Sequence, residues 1–157
     1  MRIETYNGKY DDQIIELILG IQNGETDLKL TLEEQPELAD VAGYFQKGGG
    51  EFWIALEGDE VIGTIALMLR ENACAVLKKF FVAAPYRSKK IGLALYSALL
   101  DYARTRQVRH IILDTPSVAR ASHRFYDRAG FRRVTASDLP VVYTFPDRDS
   151  ILYMLDL

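Results

Sequence analysis

The hydrophobic and polar positions of this chain alternate between two periods, which separate predicted strands from predicted helices. Apolar, β-branched runs predict strands at 1–6, 52–57, 61–69, 74–82, 109–115, 131–134 and 151–156. Apolar residues at helical spacing predict helices over 11–24, from Pro36 through Phe45, over 91–106 and over Val118–Ala129. The predicted order is therefore β-α-α-β-β-β-α-β-α-β-β.

Residues with special backbone preferences mark the predicted boundaries. Asp11 and Ser117 are expected to cap helices, and Pro36 is expected in the first turn of the second helix. Gly130 is expected to stop the fourth helix in a left-handed conformation, and Gly58 to turn a hairpin.

The connections between these elements predict a mixed sheet. The three middle strands are joined by short turns, which favours an antiparallel meander. The strand at 74–82, the helix at 91–106 and the strand at 109–115 predict a right-handed parallel crossover. The expected fold class is α/β, with a mostly antiparallel sheet, one central parallel pair and four flanking helices. At 157 residues the whole chain, 1–157, is expected to form one domain.

Composition and charge exclude several classes of function. The net charge of −3 gives no general case for binding nucleic acid or a membrane surface. The single cysteine, Cys74, excludes an internal disulfide and a cysteine-rich zinc site. The opening residues contain no apolar run of the kind found in signal peptides, and the sequence has no stretch long enough to span a bilayer. A reduced, cytoplasmic protein is expected.

A cluster of cations follows the strand at 74–82. The segment 87–90 reads Arg-Ser-Lys-Lys and leads directly into a predicted helix. A helix start presents unpaired N–H groups and the positive end of a dipole, so cations beside it favour an anion, phosphate above all. A solvated basic turn is the alternative from charge alone.

Three segments together resemble the GCN5-related N-acetyltransferase (GNAT) family. The first is the strand ending at Val82 followed by Arg87 and Gly92, which is similar to the family's coenzyme A pyrophosphate loop, although Lys90 stands where the family has its first glycine. The second is the late helix ending in Phe-Tyr, three residues and Gly-Phe, at 125–131. The third is Ile-Leu-Asp-Thr at 112–115, a common end of the family's fifth strand. The resemblance covers most of residues 50–135.

The resemblance implies a site for acetyl-CoA. In this family the two parallel strands splay apart at a β-bulge, and the pantetheine arm lies in the gap as an added strand. It implies that Phe80 and Val82 pair with the arm and that the Val82 N–H polarises the thioester carbonyl. The cofactor-binding residues implied in this chain are Phe80, Phe81, Val82, Arg87, Ser88, Lys89, Lys90, Ile91, Gly92, Leu93, Ser122 and Tyr126.

Tyr126 occupies the position of the family's usual general acid. A phenol of pKa about 10 can protonate a departing thiolate of similar basicity at little cost. A packed core tyrosine on an amphipathic helix is the alternative for the same residue.

The resemblance does not supply a general base. Many members carry a glutamate two residues before the position of Lys78, where this chain has Val76. The remaining acidic candidates are Glu33, Glu34, Glu37 and Asp114, of which Glu33, Glu34 and Asp114 are expected beside the acceptor. Without a base, a weakly basic α-amine is favoured over a lysine-like amine, since more of it is neutral at pH 7.

An acidic stretch precedes the sheet on the side where the family binds its acceptor. Residues 25–40 carry six acids against Lys29 alone: Glu25, Asp27, Glu33, Glu34, Glu37 and Asp40. Such a wall would attract a cationic amine, and a solvated surface is an equal alternative.

The predicted function is therefore transfer of an acetyl group from acetyl-CoA to a primary amine of a small molecule, amino acid or peptide. A non-catalytic acyl-CoA sensor is the alternative on the same fold, and a nucleic-acid binder using Lys78, Lys79 and 87–90 is a third. Cys74 lies eight residues before Val82, roughly 26 Å along the strand, so a covalent acetyl-cysteine is not expected. His110 and His123 are too few for a metal site. An edge strand near the C-terminus leaves a homodimer open.

Overall fold

The computed structural model describes residues 1–25, 29–144 and 149–157 of the chain. Asp27 and Pro146, with their neighbours at 26–28 and 145–148, lie outside the described residues. The strands are β1 Arg2–Thr5, β2 Glu51–Glu57, β3 Glu60–Leu69, β4 Cys74–Val82, β5 His110–Pro116, β6 Arg132–Val134 and β7 Ser150–Asp156. The α-helices are α1 Asp11–Gly24, α2 Ile91–Thr105 and α3 Arg120–Arg128.

The strands form one sheet in the order β1-β2-β3-β4-β5-β7-β6. Every neighbouring pair is antiparallel except β4 and β5, which are parallel and connected through α2. The predicted fold class, with its single central parallel pair, is confirmed.

The second predicted helix differs from expectation. In place of one regular helix, the chain forms a 3₁₀ turn at Pro36–Leu38 and a short π-helical segment at Ala42–Gln46. The apolar stripe of the predicted helix is nevertheless buried, since Leu38, Val41 and Phe45 pack under the sheet. The apolar pattern thus predicted burial correctly, while packing against the sheet decided the local helix type.

Two of the predicted caps are also wrong. No side chain caps α1, whose N-cap is Tyr10, and none caps α3, whose N-cap is Ala119. Ser117 donates its hydroxyl to Asp149 instead, at 2.6 Å. The glycine predictions hold, because Gly58 and Gly130 adopt φ of +60° and +93°.

The two faces of the sheet are buried differently. One face packs against α2 and α3 through a large cluster that contains Leu95, Leu99 and Tyr126. The opposite face is covered by α1 and the segment 36–46 at one end, and by Val141 and Tyr143 at the other. Among the described residues no helix is both long and apolar enough to cross a membrane.

Candidate functional site

The parallel strands β4 and β5 diverge in the middle of the sheet. Their pairing covers Cys74–Val76 against His110–Ile112 and goes no further. Beyond that point β4 stays with β3 as far as Val82, while β5 stays with β7 as far as Pro116. A notch therefore opens between the second halves of β4 and β5, as the family resemblance implied.

A β-bulge in β4 produces this divergence. Thr64 pairs with Phe81 and Ala66 pairs with Lys78, so β4 has one more residue than β3 across this interval. Lys79 adopts a φ of +54°, and its carbonyl accepts the hydroxyl of Thr64 at 2.6 Å. A bulge bends a strand and increases its twist, which turns the end of β4 away from β5.

The backbone of β4 aims polar groups into the notch. The N–H of Ala83 donates to the Ile62 carbonyl of β3 at 2.8 Å. Since successive N–H groups of a strand point to opposite edges, the N–H of Val82 points the other way, toward the notch. Phe80 lies two residues before Val82, within the bulge, and its side chain packs on the same face of the sheet as that of Val82.

The loop after β4 connects this strand to the N-terminus of α2. Residues Ala84–Lys89 form a 3₁₀ turn, Lys90 takes a left-handed conformation with φ of 62° and ψ of 20°, and α2 begins at Ile91. The first backbone bond of α2 runs from Ala94 N–H to the Lys90 carbonyl, and no side chain caps the helix. The N–H groups of Ile91, Gly92 and Leu93 are thus available to an anion.

Arg87 is already engaged by protein groups. Its Nε donates to the Val82 carbonyl at 2.9 Å, and its two terminal nitrogens form a fork with the Glu25 carboxylate, one of them at 2.8 Å. This guanidinium lowers the pKa of Glu25. Sequence reasoning missed the partner, because Glu25 lies 62 residues earlier in the chain. The neighbouring Ser88, Lys89 and Lys90 are exposed.

Tyr126 lies under the notch on the face that carries α2 and α3. It is 5% exposed, and its ring centroid lies 6.4 Å from that of Phe80 and 5.6 Å from that of Tyr153. Burial raises the pKa of its phenol, and the negative charge of Asp114 adds to the effect. Within the described chain its hydroxyl forms no hydrogen bond. Ser122 lies one turn earlier on α3 and is half-buried.

A buried polar network lines the opposite face of the bulge. The Lys79 ammonium lies 2.8 Å from the Glu37 carboxylate and donates to Gln35 at 2.6 Å. Gln35 in turn exchanges two hydrogen bonds with Gln22 of α1, at 2.8 and 3.0 Å. Burial acts to raise the pKa of Glu37, but Lys79 outweighs it and the net pKa is lowered. Glu37 is therefore a charged partner of Lys79 and a poor general base.

The other acidic candidates lie in different surroundings. Glu34 accepts hydrogen bonds from the N–H and hydroxyl of Thr31, and Glu33 is exposed on the same turn. Asp114 extends from β5 and accepts a hydrogen bond from the hydroxyl of Tyr143. Burial, with the Asp114 charge second, raises the pKa of Tyr143. Of the three acids predicted beside the acceptor, the structure places only Asp114 on a strand that borders the notch.

Comparison with known proteins agrees with this geometry. A sequence model of the acetyltransferase (GNAT) family matches residues 11–131. The chain belongs to the GNAT family. It is 39% identical to an acetyltransferase from Streptococcus agalactiae 2603, with a TM-score of 0.95 and coverage of 99% of this chain and 98% of that one. A GNAT acetyltransferase from Staphylococcus aureus Mu50 is 32% identical, with a TM-score of 0.94 and the same coverage.

Curated relatives in sequence are longer proteins. The N-acetylaspartate synthetase of Danio rerio is 32% identical over 112 residues, which cover 70% of this chain and 39% of that protein. A probable N-acetyltransferase of Xenopus tropicalis, camello, is 30% identical over 99 residues, which cover 62% of this chain and 45% of that protein. The chain thus spans less than half the length of these relatives.

Val76, which stands at the family's usual general-base position, and Cys74, the possible nucleophile, both have packing roles in this GNAT protein. Val76 is buried, and it still belongs to the paired part of β4 and β5, where it packs beside Ile112 and Met154. Cys74 is 1% exposed, and burial raises the pKa of its thiol, which disfavours a nucleophilic role.

The histidines bind other parts of the protein. His110 pairs with Asp156 at 2.7 Å, and the Nε2 of His123 lies 2.9 Å from the Pro116 carbonyl. The described residues contain no cluster of His, Cys, Asp and Glu that would hold a metal ion.

Two features of the site could not be read from the sequence. The Lys79 network joins α1, the 36–38 turn and β4, and the only signal was a pair of lysines inside an otherwise apolar strand. Tyr143 falls in a stretch with no periodic pattern, so nothing connected it with Asp114.

Proposed function

We propose that this chain transfers the acetyl group of acetyl-CoA to a primary amine of a small molecule, amino acid or peptide. The observation that carries the proposal is the end of parallel pairing at Val76 and Ile112. It leaves an extended edge of β4, and the turn Ala84–Lys89 connects this edge to the uncapped N-terminus of α2. An elongated ligand with an amide-rich arm and a phosphate group matches both halves of this surface.

The residues present fit acetyl-CoA. The backbone groups of Phe80 and Val82 would hold the pantetheine arm, and the N–H groups of Ile91–Leu93 would hold the pyrophosphate, assisted by Arg87, Ser88, Lys89 and Lys90. Phe81 would border the pantetheine arm on the face of the sheet that carries α1, and Ser122 would border it on the face that carries α3. When bound, acetyl-CoA supplies an acetyl thioester whose carbonyl carbon is electrophilic and whose sulfur is the leaving group.

The chain itself supplies polarisation and proton donation. The Val82 N–H donates a hydrogen bond to the thioester oxygen, which draws charge from the carbonyl carbon. The amine nitrogen bonds to that carbon as the carbon–sulfur bond breaks. The nitrogen loses one proton to solvent, and the sulfur gains one from Tyr126, whose phenol then recovers a proton from solvent, so that no net proton is consumed. A phenol is protonated at neutral pH at its ordinary pKa, and burial raises the pKa of Tyr126 further, so Tyr126 is a weaker acid than an exposed tyrosine and gives up its proton only as the thiolate forms.

Asp114 is the acid best placed to receive the amine. It borders the notch on β5, and its charge is felt by Tyr126 on the other face. Several relatives are named N-acetylaspartate synthetase, which supports an amino acid as the acceptor. Glu33 and Glu34 are proposed to line the outer part of the acceptor entrance, where they lie on an exposed turn.

The enzyme is proposed to be cytoplasmic. Residues 1–157 are proposed to form one catalytic domain. The single sheet supports the domain, since strands outside the matched range 11–131 belong to it. The buried, unpaired thiol of Cys74 supports a reducing compartment. Homodimer formation through an edge strand stays a prediction, as does the lack of nucleic-acid and membrane partners.

The Tyr126→Phe variant tests the reaction. We expect kcat for acetyl transfer to fall about 100-fold while the CoA dissociation constant, measured by calorimetry, is unchanged. The matched control is Tyr96→Phe, since Tyr96 is also a buried tyrosine in the same aromatic cluster and its hydroxyl has no hydrogen-bond partner in the described chain. The control is expected to keep full turnover.

Two results would count against the proposal. Unchanged turnover in Tyr126→Phe would remove the proton-donor role. Tight CoA binding with no acetylation of any amine in a broad panel would favour the alternative, a non-catalytic acyl-CoA sensor.

A further inference from the structure

Two opposite charges lie on the same face of the sheet, one on each strand that borders the notch. Val76 of β4 and Ile112 of β5 are paired in register. Lys78 and Asp114 each lie two residues further along, so strand periodicity places both on the face that carries Val76 and Ile112. Their neighbours agree, because Lys78 pairs with Ala66, which packs on that face, and Asp114 binds Tyr143, which packs there too.

The divergence of the strands keeps these two charges apart. Paired strands lie about 4.8 Å from each other, and β4 and β5 separate beyond the last pair. No ion pair joins Lys78 to Asp114, nor to any other residue that the structure describes. Asp114 is held from the other side by the hydroxyl of Tyr143.

Lys78 is a half-buried cation without an ion-pair partner in the described chain. Partial burial of an ammonium is unfavourable unless an anion compensates it. Glu37 is the acid whose pKa Lys78 helps to lower, but Glu37 is already bound to Lys79. The face of the notch therefore keeps one uncompensated positive charge beside one carboxylate.

We propose that Lys78 binds a carboxylate of the acceptor, and that the acceptor is an amino acid. This inference rests on the proposed acetyltransferase function. The carboxylate of the amino acid pairs with the Lys78 ammonium, and its amine donates a hydrogen bond to Asp114, which Tyr143 orients. A zwitterion satisfies both charges at once, whereas a simple amine leaves Lys78 uncompensated.

The acidic stretch at 25–40 does not oppose a carboxylate as strongly as its composition suggests. Glu25 is bound to Arg87, and Glu37 is bound to Lys79. Glu34 is turned to Thr31. The acids that a cationic substrate would need are thus partly neutralised by the protein itself.

The experiment compares acceptors that differ only in the carboxylate. Each amino acid of a panel is assayed with acetyl-CoA beside its primary amide and its decarboxylated amine. For the wild type we expect kcat/KM to be about 10- to 100-fold higher with the carboxylate present, the range for a hydrogen bond to a charged group.

Lys78→Met keeps most of the length of the side chain and removes its charge. We expect it to lose this preference while its kcat/KM for the decarboxylated amines stays within about twofold, and Lys78→Arg is expected to retain part of the preference. Lys47→Met, at an exposed lysine of the 36–50 segment, is the matched control and should behave as wild type.

The outcomes separate this inference from the proposed function. Efficient acetylation of amines without any carboxylate preference in the wild type would overturn the inference and leave the acetyltransferase intact. An unaltered preference in Lys78→Met would do the same. Absence of turnover with every acceptor, despite CoA binding, would overturn both. If Lys78→Met fails to fold, as judged by circular dichroism, the wild-type preference and the partial preference of Lys78→Arg decide.

Discussion

Replacement of Lys90 by glycine is expected to stabilise the protein while it weakens coenzyme binding. Lys90 has φ of 62° and ψ of 20° at the residue before α2. For a residue with a Cβ, this left-handed conformation costs roughly 1–2 kcal/mol. Glycine removes that cost but gains about 0.5–1 kcal/mol of freedom in the unfolded chain. The net gain in the free energy of unfolding is therefore between about 0 and 1.5 kcal/mol, with a central value of about 0.75 kcal/mol.

The adjacent lysine provides the matched control. Lys89 belongs to the 3₁₀ turn Ala84–Lys89 and has a negative φ, so glycine relieves nothing there. We expect Lys89→Gly to lower the free energy of unfolding by about 0.5–1 kcal/mol. In a protein of this size, 1 kcal/mol shifts Tm by about 2–4 °C. The two variants should thus move Tm in opposite directions in a calorimetric scan.

Coenzyme binding should respond to charge and not to backbone strain. Both variants lose one exposed ammonium beside the N-terminus of α2, and such a contact contributes about 0.2–1 kcal/mol. We expect CoA to bind up to about fivefold more weakly to each, with a smaller difference at high salt. A lower Tm for Lys90→Gly, equal to that of Lys89→Gly, would refute the argument from the left-handed conformation.

Two further ion pairs lead to predictions. Glu25→Gln removes the carboxylate that competes for Arg87, so CoA should bind up to about fivefold more tightly in calorimetry, and weaker binding would show that Glu25 supports the loop. Glu37→Gln removes the carboxylate that pairs with Lys79, whose side chain is only 10% exposed, and should lower the free energy of unfolding by about 2 kcal/mol at pH 7. Because the pKa of Glu37 is lowered in the folded state, its stabilisation is present above the ordinary value of 4.5 and is lost as pH falls through the folded pKa. Urea titrations of wild type and variant should therefore converge in acid, and a gap that persists unchanged at low pH would contradict this account.

Much of the fold was determined by the sequence alone. The alternation of apolar residues identified every strand of the sheet, and the strand-helix-strand order at 74–115 required the parallel pair. These features depend on period and connection length, which are local properties of a chain. The prediction of one regular second helix was wrong for the same reason. The apolar stripe fixed which residues are buried, but not whether the backbone would take a 3₁₀, α or π form.

The tertiary structure alone decided how the site is charged. The sequence shows Arg87, Lys79 and Asp114 as a cation in a loop, a cation in a strand and an acid at a strand end. The fold joins them to Glu25, Glu37 and Tyr143, which are 62, 42 and 29 residues away. Charge pairing depends on which side chains meet across the sheet, and no local pattern encodes that meeting. Lys78 and Asp114 stay apart because the bulge at Lys79 turns one strand from the other, a property of the assembled sheet.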